Sequence, residues 1–205
     1  MMKIMSPIIG ELEEKELEIT EQKISGIFNN EVVKTLKYRF LEFNECIFNK
    51  LTINNLNMAK TTFVDVKFIN CDLSNTIFES STFVRVIFEE CKLIGTDLSS
   101  SSFKDVQFNN CKMNYSNFSD SKLQNIIFKD IDAGNSSFIN VKFKDVIFDT
   151  CKLEEIEFLN TNLSNIDFSN SIIDGIAVNV ALLKGCVVNT YQAVELSRLL
   201  GLKIK

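Results

Sequence analysis

Seventeen of the eighteen phenylalanines fall at residue numbers ending in 3 or 8, and Phe40 alone lies outside that register. From Phe28 to Val188 every fifth residue is apolar, apart from amphipathic Tyr38 and small Ala133. A second ordered position lies two residues before each centre. Between Phe63 and Ile173 it is always Ser, Thr, Cys, Val or Ile. A period of five suits neither a helix at 3.6 nor a flat strand at 2. Residues i−2 and i share one side of an extended segment. They can all point inward every five residues only if the chain turns a corner in each repeat.

The number of sides follows from what recurs. Cys71, Cys91, Cys111 and Cys151 take the small position at spacings of twenty or forty, and Val66, Val86, Val106 and Val146 recur likewise. Phe68, Phe88, Phe108, Phe128, Phe148 and Phe168 are centres twenty apart. Residues stacked on one another share chemistry, so twenty residues make one coil of four sides. The pattern predicts an all-β solenoid of stacked coils. At about 4.8 Å per coil, some seven to eight coils make a rod about 35 Å long. Stacked rings add about 0.5–1.5 kcal/mol per pair beyond burial.

The segments CDLSN (71–75), TDLSS (96–100), SNFSD (116–120), TNLSN (161–165) and IDFSN (166–170) resemble the pentapeptide repeat family. The resemblance covers about residues 36–189 and implies a right-handed quadrilateral β-helix, four pentapeptides per coil. The small position is seldom the Ala usual in that family, and Val, Ile and Cys there suggest a fuller core. Some bacterial members are dimeric rods that mimic DNA, engage DNA gyrase or topoisomerase IV and relieve quinolone inhibition. Several of those project loops from the coil, and no such insertion stands between Phe28 and Val188.

Three segments are expected. Residues 1–35 break the pattern, with Glu31 on a small inner position, and read as an N-terminal cap in which Leu12, Leu17, Ile19, Ile24 and Ile27 cover the first coil. Residues 36–189 are the repeat. Residues 190–205 are a C-terminal helix and tail. Asn189 with Gln192 three residues on resembles a capping box, and Gly201 is a helix stop. Ala193, Leu196 and Leu200 form a stripe that Val194 and Leu199 widen, with Leu202 and Ile204 as an extra edge strand. A dimer through these residues is expected, as the family resemblance also implies.

Catalysis is disfavoured. The chain has no His, which removes the commonest general base, and no Gly-rich phosphate loop. No cofactor or metal is expected. Asp65, Asp105 and Asp145, interrupted by Arg85 and Asn125, read as a solvated outward face. Cys46, Cys71, Cys91, Cys111, Cys151 and Cys186 all take the small position and read as reduced core thiols. With neither a signal peptide nor a membrane span in the sequence, the expected compartment is the cytoplasm. Net charge is −5, which disfavours direct nucleic-acid binding. Lys92, Lys112, Lys122, Lys142 and Lys152 interleave with the acids. The leading reading is a protein-interaction rod or scaffold; the alternative is a DNA-mimicking dimer that binds a type II topoisomerase.

Overall fold

The computed structural model describes residues 3–17, 23–35 and 40–203. The chain winds as a parallel β-solenoid with one short C-terminal helix. Its strands are β1 (Lys23–Asn29), β2 (Val32–Val33), β3 (Glu42–Asn49), β4 (Thr52–Ile53), β5 (Thr62–Ile69), β6 (Thr82–Glu89), β7 (Ser102–Asn109), β8 (Lys122–Lys129) and β9 (Lys142–Asp149). β1, β3 and β5–β9 form a seven-stranded parallel sheet, and β2 pairs with β4. The register is twenty residues, as in Phe68↔Phe88 and Phe108↔Phe128. Parallel neighbours need a crossover of a dozen or more residues. Here the other two sides of the same coil supply it.

Each corner is set by one residue in the left-handed region. Every non-glycine residue with positive φ has a number ending in 0 or 5, for example Asp65 at 57° and Asn110 at 53°. Asn, Asp and Gly tolerate this conformation best, and they fill sixteen of the twenty-three such positions from 65 to 175. Opposite the strands the corners close as turns, with Thr76 N–H to Leu73 O (3.2 Å) and Asn75 at φ 56°. Positive φ at the third residue is the type II pattern. The Asp or Asn before each centre accepts from the N–H two residues on, as in Asp97–Ser99 at 3.0 Å and Asn117–Ser119 at 3.0 Å. The motif of acid or amide, centre, serine and asparagine is thus a turn specification.

The interior is filled. Phe88 and Phe108 stack at 4.8 Å and 1°, Phe108 and Phe128 at 5.0 Å and 11°. The small positions do more than leave room. Ser101 and Ser121 donate to the carbonyls of Phe78 and Leu98 on the coil before, at 3.0 and 2.9 Å. The same hydroxyls accept from the N–H groups of Ser81 and Ser101. Cys71, Cys91, Cys111 and Cys151 donate their thiols at 3.3–3.5 Å to the carbonyls of Phe48, Phe68, Phe88 and Phe128. Buried backbone groups at a corner need such partners. The Val66, Val86 and Val106 column lies within strands, where the ladder already provides them.

Two expectations need correction. Seven strands enclose about six turns rather than seven to eight, because continuous pairing stops at β9 and only bridges such as Asp167↔Val187 carry the coil onward. The N-terminal segment is also more than a cap. Residues 13–15 do pair with the open edge of β1, through Lys15 N–H to Ile27 O and Ile27 N–H to Glu13 O, both 3.0 Å. Ile24 is buried, Leu17 packs against the core, and Leu12 and Ile27 are half-buried. Ile19 and the repeat centre Tyr38 lie outside the described residues. Residues 3–10, however, run along the rod as a strap.

Candidate interaction surface

Polar side chains outside the strands line the four faces and their corners. One corner column reads Glu45, Asp65, Arg85, Asp105, Asn125, Asp145 up successive coils. The strap lies on it. Gly10 N–H donates to Glu45 Oε2 (3.1 Å), Ile8 N–H to Asp65 Oδ1 (2.8 Å) and Met5 N–H to Asp105 Oδ1 (3.3 Å). Pro7, which has no N–H, falls between two of these donors and suits an extended path. The expectation of a solvated acidic face is therefore overturned at two positions. Asp65 and Asp105 are 6% and 1% exposed, because the strap covers them.

The column is internally satisfied as well. Arg85 grips Asp65 bidentately, Nε to Oδ1 and Nη2 to Oδ2, both 2.6 Å. Burial pushes the Asp65 carboxyl up, but the Arg85 hydrogen bonds, the Ile8 N–H and the Arg85 charge outweigh it and hold the carboxyl below its usual range. Asn125 donates to Asp105 Oδ1 at 2.9 Å, while Asp105 Oδ2 is buried without a partner. Asp145, next in the column, is exposed.

On the other faces the charges alternate. One bridged column runs Asp72, Lys92, Lys112, Asp132, Lys152. Among the described residues no group of three His, Cys, Asp or Glu is placed to hold a metal ion, and no helix is long and apolar enough to cross a membrane.

The core column Phe68, Phe88, Phe108, Phe128, Phe148 and Phe168 is buried, as are Cys71, Cys91, Cys111 and Cys151. Burial pushes the Cys46 and Cys151 thiols up to about 12. Cys186 is half-buried, and desolvation with the nearby Asp167 charge pushes it up to about 11.

At the C-terminal end, α1 (Thr190–Ser197) starts in a capping box between Asn189 and Gln192. A 3-10 turn over Arg198–Leu200 follows, and Gly201 stops it at φ 72°. Gln192 ties the helix to the last coil, donating to Phe168 O and Ser171 O at 2.8 and 2.6 Å. Leu196 packs against the core, whereas Ala193, Val194, Leu199, Leu200 and Leu202 are exposed. Leu202 belongs to no strand, which corrects that part of the expectation, and Ile204 lies outside the described residues.

Residues 61–138 match the sequence model of the pentapeptide repeat region. This stretch is a pentapeptide repeat region. The same register and corner geometry continue on both sides of it, to Phe28 and to Asn165. A comparison with curated protein sequences gives no match. Among solved structures, the chain is similar to QnrB1, a plasmid-mediated fluoroquinolone resistance protein, at 12% identity and a TM-score of 0.43, over 88% of this chain and 100% of that one. It is also similar to HetL, a pentapeptide repeat protein involved in heterocyst differentiation regulation from the cyanobacterium Nostoc, at 10% identity and a TM-score of 0.49, over 81% and 89%. A pentapeptide repeat protein of the Arabidopsis thaliana thylakoid lumen aligns at 13% identity and a TM-score of 0.29, over 71% and 77%.

Sequence reasoning missed the strap and the role of the corner residues. The strap left one signal, the single proline in an apolar N-terminal stretch. The corners left a plainer one, the enrichment of Asn and Asp at numbers ending in 0 and 5.

Proposed function

We propose that this chain is a non-catalytic protein-interaction rod that works as a homodimer joined at its C-terminal end. The observation that carries this reading is the apolar surface left over once the core is closed. Leu200, Leu202 and Tyr191 are 61%, 57% and 63% exposed beside Val194 and Leu199. A contiguous exposed apolar patch marks an interface. Residues 1–35 act as strap and cap, 36–189 as the rod and 190–205 as the dimer element, in the cytoplasm. The strap supports the interaction role, since one corner of the rod already receives extended peptide backbone.

The narrower reading, a DNA-mimicking dimer that binds DNA gyrase or topoisomerase IV, needs a continuous acidic stripe. Arg85, Lys92, Lys112 and Lys152 interrupt the acids, and the strap covers the corner column. Light scattering tests the dimer. The full chain of 23.4 kDa should run at twice that mass, and a chain ending at Val188 should run as a monomer or aggregate. A clean dimer of the shortened chain would refute the interface.

A further inference from the structure

We propose that the outer edge of β9 is a docking groove for an extended, cationic segment of a partner protein, received as an added strand. This rests on the interaction-rod reading and gives it a site. The coil ladder is regular up to β9. Asn70, Glu90, Asn110 and Asp130 donate in turn to the carbonyls of Glu89, Asn109, Lys129 and Asp149 at 2.9–3.0 Å. The matching bond from Thr150 to Ser169 is not made. Lys122 and Lys142 donate to Ser101 and Ser121, both at 2.9 Å, and the matching bond from Asn162 to Val141 is not made either. The rest of the same coil stays closed, with Leu153 N–H to Ile172 O at 2.8 Å and Glu155 N–H to Asp174 O at 2.9 Å. The rod thus opens between β9 and residues 162–170 on two adjacent faces.

Two clefts of about 500 and 390 Å³ follow that opening and share Val146, Ile147 and Asn165. Their floor is apolar. Phe143 is half-buried where its counterparts Phe63, Phe83 and Phe103 are fully buried, and Ile147 is 43% exposed. Ring stacking relaxes too, with Phe148 and Phe168 at 5.4 Å and 38°. The walls are acidic: Asp145, Asp149 and Asp167 line the clefts against one cation, Lys129.

These features select the occupant. A row of open backbone groups at strand spacing is matched by another strand, which contributes main-chain hydrogen bonds and alternate side chains. One set of side chains meets the apolar floor and the other meets the aspartates, so the complementary segment alternates apolar and basic residues. Each side of the square takes about five residues, or about 16 Å of extended chain.

The test uses the full chain and a fluorescein-labelled eight-residue peptide alternating lysine and valine. Controls are a glutamate–valine peptide and a lysine–valine peptide N-methylated at alternate residues. In the free chain, amides of Phe143–Thr150 should exchange hydrogen at least tenfold faster than those of Phe103–Asn110. The basic peptide should bind and slow them tenfold, and both controls should fail. Combining Asp145→Lys with Asp167→Lys should weaken binding at least tenfold. The proposal is overturned if the edge is already protected, if the basic peptide fails to bind, or if it binds without protecting β9. Protection that rises with chain concentration alone assigns the edge to a second copy and also overturns it. None of these outcomes alters the mass seen by light scattering, so the rod reading and this proposal fail separately.

Discussion

Replacing Phe108 by Ala should be far more damaging than replacing Phe143, although both are centres of the same register. Phe108 is fully buried and stacks on Phe88 below and Phe128 above, with Phe118 edge-on at 6.1 Å. Its removal deletes a buried ring, opens a cavity that the packed coils cannot collapse around, and breaks two stacked pairs. The cost is about 3–5 kcal/mol. Phe143 is half-buried, has only edge-on partners at 6.1–6.3 Å, and borders the opening above β9. Water already reaches it, so its loss should cost about 1.5–2.5 kcal/mol. Urea unfolding followed by circular dichroism reads the difference. With a slope of about 2 kcal/mol per M, the Phe108 variant should shift its midpoint down by about 1.5–2.5 M and the Phe143 variant by about 1 M. Equal shifts, or a Phe108 cost below about 1 kcal/mol, would refute the account of the core.

Asn110→Val places a β-branched residue at φ 53° and should cost about 1–2 kcal/mol, whereas Asn110→Gly should be near neutral in the same urea assay. Asp65 is held low by Arg85 and the strap, so its contribution is present above the ordinary carboxylate pKa and fades as pH falls through the lowered value. The stability gap between the native chain and Asp65→Asn should therefore be constant near neutrality and close on acidification below about pH 4. Alkylation followed by mass spectrometry should label Cys186 first and slowly, and Cys71, Cys91, Cys111 and Cys151 only after unfolding. In a gyrase supercoiling assay with a quinolone, the interrupted acidic surface should give no protection; protection at micromolar chain would instead establish the DNA-mimic reading.

The architecture was legible because one physical requirement, an inward residue every five, is written in the chemistry of Phe68 through Phe168 and of the cysteine and valine columns. The C-terminal helix was legible for a local reason, the Asn189–Gln192 box. Distance in sequence hid the strap. Nothing near Met5 or Ile8 announces Asp105 or Asp65, which lie 100 and 57 residues away. The opening above β9 was equally hidden, because Phe143, Phe148, Leu163 and Phe168 keep perfect register while the backbone ladder between them lapses. A register constrains which side chains point inward, not whether each pair of coils is hydrogen-bonded. The coil count erred for that same reason.

The claim that this rod's faces receive extended peptide is tested most directly by supplying its own strap in trans. A labelled peptide of residues 1–12 is titrated into a chain that begins at residue 12, with fluorescence anisotropy as readout. The account predicts saturable micromolar binding that is lost when Asp65 and Asp105 are both changed to Lys. No binding, or binding indifferent to those two aspartates, would contradict it.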